Sequence, residues 1–483
     1  MRVAADIGGR PGVRAASLVM ATPANRDVLS DAGLLGVEAG EAGPNDLVIA
    51  VDAVDEALDE AIAAAEAALK KRLTPAADTV GQTPRPRSLA QVDAGLALIS
   101  TPGRYAAAES LKALRQGMNV FLFSDNMPIK QEVALKREAR ARGLIVMGPD
   151  CGTAILDGIP LGFANTVRRG DIGLIGASGT GLQQVSTLVH RWGAGLSQVV
   201  GVGGRDLNGE VGGISMLSAL SALAGDPNTN VIVLISKPPD AAVANEVLAR
   251  AAPAGKPVVA AFLGAENPPG PSGVEIVDTL EEAARAALAA TGRTAPAQAP
   301  AREPGLTEPT PHGGGLLRAL YAGGTFAYEA GILLEPQIGP IGHSLGAVAA
   351  GRATELPDSH LILDLGDDEF TVGRPHPMID PATRLEILRL AGEDRRTAVI
   401  MLDVVLGYGA AADPAGDLAP AITEITSRPG APRVVAFVVG TDRDPQGLAR
   451  QEDVLRQAGA ELADSCTAAA RQVAAMLTPS VVA

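Results

Sequence analysis

Asp171-Ile-Gly-Leu-Ile-Gly-Ala-Ser-Gly-Thr-Gly181 is the stretch on which the fold turns. Its first half contains an apolar run of strand length, Ile172–Ile175, and its second half, Gly176–Gly181, is a glycine-rich turn entering a helix near Leu182. Such a turn leaves several N–H groups without intrahelical partners at the positive end of the helix dipole. Ser178 and Thr180 add hydroxyl donors, so Ser178, Gly179, Thr180 and Gly181 are candidates to hold a phosphate. The plainer reading is a tight strand-to-helix connection with a Ser or Thr cap. One strand later, Val200-Gly-Val-Gly-Gly-Arg-Asp206 and then Gly209–Gly213 make a second such connection, which adds Gly203 and Gly204 to the phosphate-binding candidates. Close backbone packing would also account for these glycines. The carboxyl edge of an open α/β sheet is, however, where ligands bind.

Outward from this stretch, strand and helix patterns alternate. Upstream, Leu96–Ser100, Asn119–Phe123 and Leu144–Met147 read as strands, with helices near 106–116 and 130–142 between them. Downstream, strands Ser197–Val202, Val231–Ser236 and Pro257–Phe262 alternate with helices Gly213–Ala224 and Ala242–Ala251. This rhythm implies parallel sheets with right-handed crossovers. Thr291–Pro311 is proline-rich and reads as an inter-domain linker, as does Pro75–Arg87. A third α/β unit follows, with strands Leu361–Leu365, Thr397–Val404 and Arg433–Val439 and helices near Ala382–Ala391, Leu418–Ser427 and Gln446–Ala458. Before all of this, strands Ala15–Thr22 and Asp46–Val51 and the Ala/Glu helix Val54–Arg72 form a small α/β module. The expected divisions are 1–72, 88–168, 169–292 and 313–480.

Composition sets the limits. A chain of 483 residues needs two to four cores. Aromatics make up 2% against 47% hydrophobic residues, so the cores are aliphatic, which suits buried parallel strands under Ala-rich helices. A formal charge of −15 argues against a nucleic-acid backbone or an anionic membrane as partner. Two cysteines far apart, Cys151 and Cys466, exclude a disulfide framework and point to a cytoplasmic location. No unbroken apolar run reaches the ~20 residues of a membrane helix, and Met1–Gly9 lacks a signal pattern.

The order of motifs carries a resemblance. Gly148-Pro-Asp-Cys-Gly-Thr, Asp171–Gly181, Val200–Asp206, Asp226-Pro-Asn-Thr-Asn with Val231–Ile235, and Lys256-Pro-Val-Val resemble the α subunit of succinyl-CoA synthetase, in the same order. The third unit resembles the C-terminal ligase domain of that enzyme's β subunit. Asp364-Leu-Gly-Asp-Asp-Glu-Phe-Thr-Val-Gly-Arg-Pro-His-Pro-Met-Ile-Asp380 is similar to the signature of the FdrA family, in which α-like and β-like segments are fused. The implied fold class is α/β and succinyl-CoA synthetase-like. It would comprise a Rossmann-like CoA-binding domain, two flavodoxin-like ligase domains and the small N-terminal module.

The resemblance also implies a site. Two helix N-termini, one from each segment, would face each other across a phosphate: the Ser178 turn and a second placed at Asp364–Asp380. Arg374 and His376 would be the catalytic, phosphate-facing side chains there, since a guanidinium fork matches two oxygens at once. Asp367, Asp368 and Glu369 are a possible Mg²⁺ set or a solvated acidic turn, and no metal site is assigned. Where the ligase carries a phosphorylated histidine after the strand equivalent to Pro257–Phe262, this chain reads Ala265-Glu-Asn-Pro-Pro-Gly-Pro. No ATP-grasp domain precedes the β-like segment. These departures, with the FdrA resemblance, imply a carbamoyltransferase component of allantoin degradation, moving a carbamoyl group between carbamoyl phosphate and oxamate. Other protein subunits and self-association are expected. The alternatives are a CoA-dependent acyl-CoA synthetase or acyltransferase of the succinyl-CoA ligase type, with CoA near Ser100–Tyr105 and Ser124–Met127, and a non-catalytic scaffold.

Three further features are weighed on local grounds. Gly342-His-Ser-Leu-Gly346 fits a nucleophile elbow in letters, but Pro336 and Pro340 interrupt the strand the elbow needs. Cys151 reads as a buried thiol rather than a nucleophile. His190, next to Trp192 on a helix, reads as a packing residue.

Overall fold

The computed structural model describes residues 7–22, 25–26, 29–30, 32–43, 46–73, 88–265, 270–297, 315–345, 356–371 and 374–478. The linker 75–87 and residues 298–311 of the second linker lie outside these residues, as do 266–269 of the segment that follows the 258–262 strand. The chain divides into two compact units, residues 1–87 with 372–374, and residues 88–371 with 375–483.

In the smaller unit, β1 (Val13–Met20) and β2 (Leu47–Ala53) pair antiparallel. Helix Asp55–Leu73 covers one face, burying Ala61 and Ala65 with Ile7 against Val13, Ala16, Leu18, Ile49 and Val51. Alanine at the helix contact lets the backbone approach the sheet closely. The other face buries Ala21, Leu29, Val48 and Ala50.

Among its described residues the larger unit has three sheets. β3 (Leu96–Ile99), β4 (Asn119–Leu122) and β5 (Val146–Met147) form a short parallel sheet, packed with helices Gly103–Arg115 and Ile129–Ala141. β6 (Thr153–Leu156) and β7 (Ile159–Gly162) form a hairpin. This hairpin does not stay with β3–β5, so the expected limit at residue 168 does not separate the sheets. β6 pairs with β9 (Leu196–Gly201) and closes one edge of a seven-stranded sheet. With β8 (Arg169–Gly176), β10 (Val231–Ser236), β11 (Val258–Phe262) and β12 (Val274–Ile276), the order is β12-β11-β10-β8-β9-β6-β7. The chain leaves β8 for a neighbour on one side and then crosses to β10 on the other. The carboxyl ends of β8 and β10 therefore flank the crevice where such sheets bind ligands.

The third sheet is wholly parallel. Its strands are β13 (Leu316–Tyr321), β14 (Ile341–Gly342), β15 (His360–Asp364), β16 (Thr397–Val405), β17 (Arg433–Val439) and β18 (Glu461–Ala463), in the order β14-β15-β13-β16-β17-β18. Every residue of β16 is buried, as expected of a central parallel strand covered on both faces.

Between the seven- and six-stranded sheets lie helices Gly179–Arg191, Leu280–Ala290, Gly324–Ile338 and Cys466–Leu477, which pack on one another. One aliphatic core runs through them from Leu174 and Leu188 to Phe326, Val435 and Val473. The two ligase-like halves thus share a core. Polar groups pin the same seam. Asn165 Nδ2 donates to Leu406 O and to Asp444 Oδ2, at 2.9 and 2.8 Å. His190, buried, accepts from Arg168 N at Nδ1, and its Nε2 lies 2.5 Å from Asp442. Glu329, fully buried on the Gly324 helix, accepts from Leu280 N and from Thr467 Oγ1.

A second buried network fixes the 200–213 connection. Lys136 Nζ, with no exposed side-chain surface, donates to Glu132 at 2.9 Å, Asp206 at 2.7 Å and Val202 O at 3.0 Å. Asp206 in turn caps the amides of Ser215 and Met216. Arg205, half-exposed, also pairs with Glu132 at 2.9 Å, so removing the lysine would leave Asp206 buried without a counter-charge. Among the described residues no helix is long and apolar enough to cross a membrane.

Candidate functional site

The site is built where strands of two sheets end. β8 runs into Ser178, whose side chain caps its own helix by accepting from Gly181 N at 2.9 Å. β13 runs into Ala322-Gly323-Gly324-Thr325 and the helix Gly324–Ile338. The two helix N-termini meet: Ser178 Oγ lies 2.6 Å from Thr325 Oγ1. A side-chain carbon on Gly323 would come within 2.7 Å of Thr180 Cγ2, so glycine is what allows the approach. Among the described residues, no protein acceptor meets the N–H groups of Gly179, Thr180, Gly324 or Thr325. Two helix N-termini, each with donors that no protein acceptor meets, thus come together, and helix N-termini favour an anion.

Here the expected second helix end is corrected. It is Gly323-Gly324-Thr325, after β13, not Asp364–Asp380. The latter segment contributes the floor. Asp364 ends β15, its Oδ1 accepting from Gly366 N at 3.0 Å, and its Oδ2 presses against Gly324 closely enough to exclude any side chain there. Burial raises the Asp364 carboxyl to about 6, opposed by the Gly366 amide and the positive charge of Lys237. Lys237 is exposed and follows β10 directly, so it stands at the same crevice.

His376 belongs to this unit as well. Its Nε2 lies 2.6 Å from where a Cβ on Gly366 would be, and its Nδ1 accepts from Met378 N at 3.2 Å. Its ring packs 5.7 Å from that of Phe163, whose carbonyl accepts from Thr153 Oγ1. Thr153 in turn abuts Gly179, so the 148–165 segment links His376 to the Ser178 turn. Burial lowers the imidazole to about 4, which keeps it neutral at pH 7, and acceptance at Nδ1 leaves the proton on Nε2. Arg374 is exposed and groups with the N-terminal unit. Gly203, at φ 86°, packs against the Gly148–Pro149 turn, and a side chain on Gly204 would meet open space. Gly203 thus lets two loops meet closely.

Two members of the acidic triplet have protein partners. Asp367 Oδ1 accepts from Glu369 N, and the Glu369 carboxylate accepts from the Ser344 hydroxyl. Among the described residues no group of three His, Cys, Asp or Glu stands where it could hold a metal ion. Cys151 is buried, and desolvation pushes its thiol up to about 12, against a nucleophilic role. Gly342 ends a two-residue strand, Pro336 lies inside the Gly324 helix, and Gly346 falls outside the described residues.

Sequence reasoning missed Gly323, Gly324, Thr325, Lys237 and the placement of Asp364. A signal was present: Leu316-Leu-Arg-Ala-Leu-Tyr followed by Ala-Gly-Gly-Thr repeats the strand, glycine turn and threonine of Ile172–Gly181.

Comparison with known proteins agrees with this architecture. Residues 320–476 match the CoA-ligase family, residues 167–264 the CoA binding domain, and residues 1–86 the AllF heavy metal-associated domain. The CoA-binding match thus begins at the close of the 88–168 segment for which a CoA-binding-type domain was expected. The α subunit 2 of mitochondrial succinate–CoA ligase from Trichomonas vaginalis is 32% identical over 192 residues, 37% of this chain and 60% of that protein. The succinate–CoA ligase subunit alpha 2 of Archaeoglobus fulgidus is 27% identical, over 42% of this chain and 74% of that protein. A solved acetyl-coenzyme A synthetase from Ca. Korarchaeum cryptofilum covers 81% of this chain and 84% of its own at 15% identity, with a TM-score of 0.36, too loose a likeness to bear on the reading. The expectation of a carbamoyltransferase is corrected by these matches, which fall on CoA ligases. Over nearly its whole length the chain resembles YahF of Escherichia coli (strain K12), a protein of uncharacterized function, at 38% identity over 478 residues, 94% of this chain and 91% of that one. The chain therefore belongs to the family of YahF, with an AllF-type N-terminal domain followed by CoA-binding and CoA-ligase domains.

Proposed function

We propose that the chain performs acyl transfer of the CoA-ligase type, exchanging an acyl group between phosphate and the thiol of CoA. The observation that carries this is the meeting of two helix N-termini at Ser178 and Thr325, with the amides of Gly179, Thr180, Gly324 and Thr325 free to donate. In the forward direction the CoA thiol gives up its proton to solvent, its sulfur forms a bond to the acyl carbon of an acyl phosphate, and the bond from that carbon to the phosphate oxygen breaks. The leaving phosphate gains negative charge as it departs. Preorganised amides at two helix ends stabilise that charge without reorganising. Lys237 adds a positive charge at the rim, and neutral His376 offers an Nε2–H donor beside Gly366.

The matches to the CoA binding domain and to CoA-ligase support CoA as the acceptor. The 364–380 segment supports placing the chain in the FdrA group. Other subunits are inferred to complete the enzyme, since the succinate–CoA ligase relatives are themselves subunits. The test is calorimetry with CoA, then incubation with CoA and short acyl phosphates, with acyl-CoA and released phosphate measured with and without co-expressed partner subunits. Binding of CoA and thioester formation would support the reading. Absence of any CoA binding at millimolar concentration would overturn it.

A further inference from the structure

Asp364 is the feature of this site that ligase-type chemistry leaves unused. Its carboxylate is not at the rim but against Gly324, the first residue of a 15-residue helix, where an incoming anion would also be drawn. One oxygen is held by Gly366 N. Several charged or titratable groups surround it. Lys237, beyond β10, attracts; Asp367 on its own loop and Asp403 on β16 repel. Asp403 is itself buried and paired with Arg384 at 2.7 Å, so part of its charge is offset. His376, across Gly366, is neutral and leaves the carboxylate unscreened from that side. A second negative charge brought to this place meets Asp364 within a few ångströms in a partly dry setting, where like charges cannot both persist cheaply.

Resting on the cradle reading above, we propose that Asp364 is the specificity-determining residue of this anion site: an anion settles between the two helix ends only as Asp364 takes up a proton. The site then selects for an anion arriving with one proton, either its own or one taken from solvent. Because the carboxyl already titrates near 6, that proton is readily gained close to neutrality. Above that point, the affinity for an anion that does not itself titrate falls by up to tenfold per pH unit.

Sulfate is the suitable probe, since it keeps one charge state across this range. Calorimetric titration of the full chain with sulfate at about pH 5.5 and about pH 8, in two buffers of different ionisation enthalpy, reads both affinity and proton uptake. Wild-type protein is expected to bind sulfate tens of times more tightly at the lower pH, and to take up close to one proton per sulfate at the higher. Asp364→Asn is expected to bind equally at both, with no proton uptake, and more tightly than wild type at the higher pH. Asp364→Ser, smaller and neutral, repeats the experiment if the asparagine variant does not fold. Sulfate binding with the same pH profile in wild type and in a folded variant would overturn the assignment to Asp364 while leaving the cradle in place. No sulfate binding to any of the proteins at either pH would overturn the cradle and this inference together.

Discussion

Replacing Glu329 with glutamine tests whether the seam between the two large sheets is held by a proton. Glu329 lies on the Gly324 helix, wholly buried, with Oε1 taken by Leu280 N at 2.7 Å and Thr467 Oγ1 at 3.2 Å. Its Oε2 is buried and meets no N–H or O–H donor. Desolvation, reinforced by the nearby charge of Glu281, raises the carboxyl to about 7. In an unfolded chain a glutamate titrates at about 4.3. Between those values the folded protein holds a proton that the unfolded chain has lost. The stability contributed by this group is therefore fully present below about pH 4.3 and is lost as the pH rises through 7. The loss is on the order of 1.4 kcal/mol per pH unit, or on the order of 4 kcal/mol in all. Glu329→Gln keeps the shape and the acceptor and removes the titration. Urea unfolding followed by circular dichroism at pH values from about 5 to about 8 gives the difference between variant and wild type at each pH. The variant should be equal to wild type, or about 1 kcal/mol weaker, at the acid end, and roughly 2 kcal/mol more stable at the alkaline end. A difference that stays constant across the range would refute the reasoning, because no other titrating group changes between the two proteins.

Three further outcomes are expected. Lys136→Met should cost about 3–5 kcal/mol in urea unfolding, because Asp206 stays buried without its counter-charge while Glu132 keeps Arg205, and adding Asp206→Asn should recover most of it; a cost under about 1 kcal/mol would mean the network is not closed in solution. Gly323→Ala places a methyl 2.7 Å from Thr180 Cγ2 and 2.9 Å from Phe326 Cδ2, so it should separate the helix ends, lower stability by about 1–3 kcal/mol and weaken sulfate binding in calorimetry. Unchanged sulfate affinity in that variant would show that the facing of the two ends is irrelevant to the anion. Ser178→Ala removes both the cap on Gly181 N and the bridge to Thr325, and should lower the thermal midpoint by an amount equivalent to about 1 kcal/mol, with sulfate affinity reduced as well; an unshifted midpoint would count against the cap.

Local pattern accounts for much of this molecule. Apolar runs of strand length between Ala-rich helices are enough to place strands Val231–Ser236 and Arg433–Val439 to the residue, because a parallel strand buried on both faces must be apolar throughout. The Ser178 turn is legible for the same reason, since glycines and a capping serine are a local requirement of a strand that turns at once into a helix. The hairpin Thr153–Gly162 is not legible as part of the seven-stranded sheet, because its partner, β9, lies some forty residues away and pairing between distant strands leaves no local trace. The second helix end shows the same limit: Gly323-Gly324-Thr325 after β13 is a common kind of α/β turn, and nothing local says that it meets Ser178. What the amino-acid sequence by itself determined is each half of the cradle: a strand, a glycine turn, and a helix with amides to spare. Only the tertiary structure decided that the two halves face each other, because one aliphatic core shared by four helices sets the angle and distance at which their ends meet. It alone also set Asp364 against Gly324, through strand order rather than proximity in the chain.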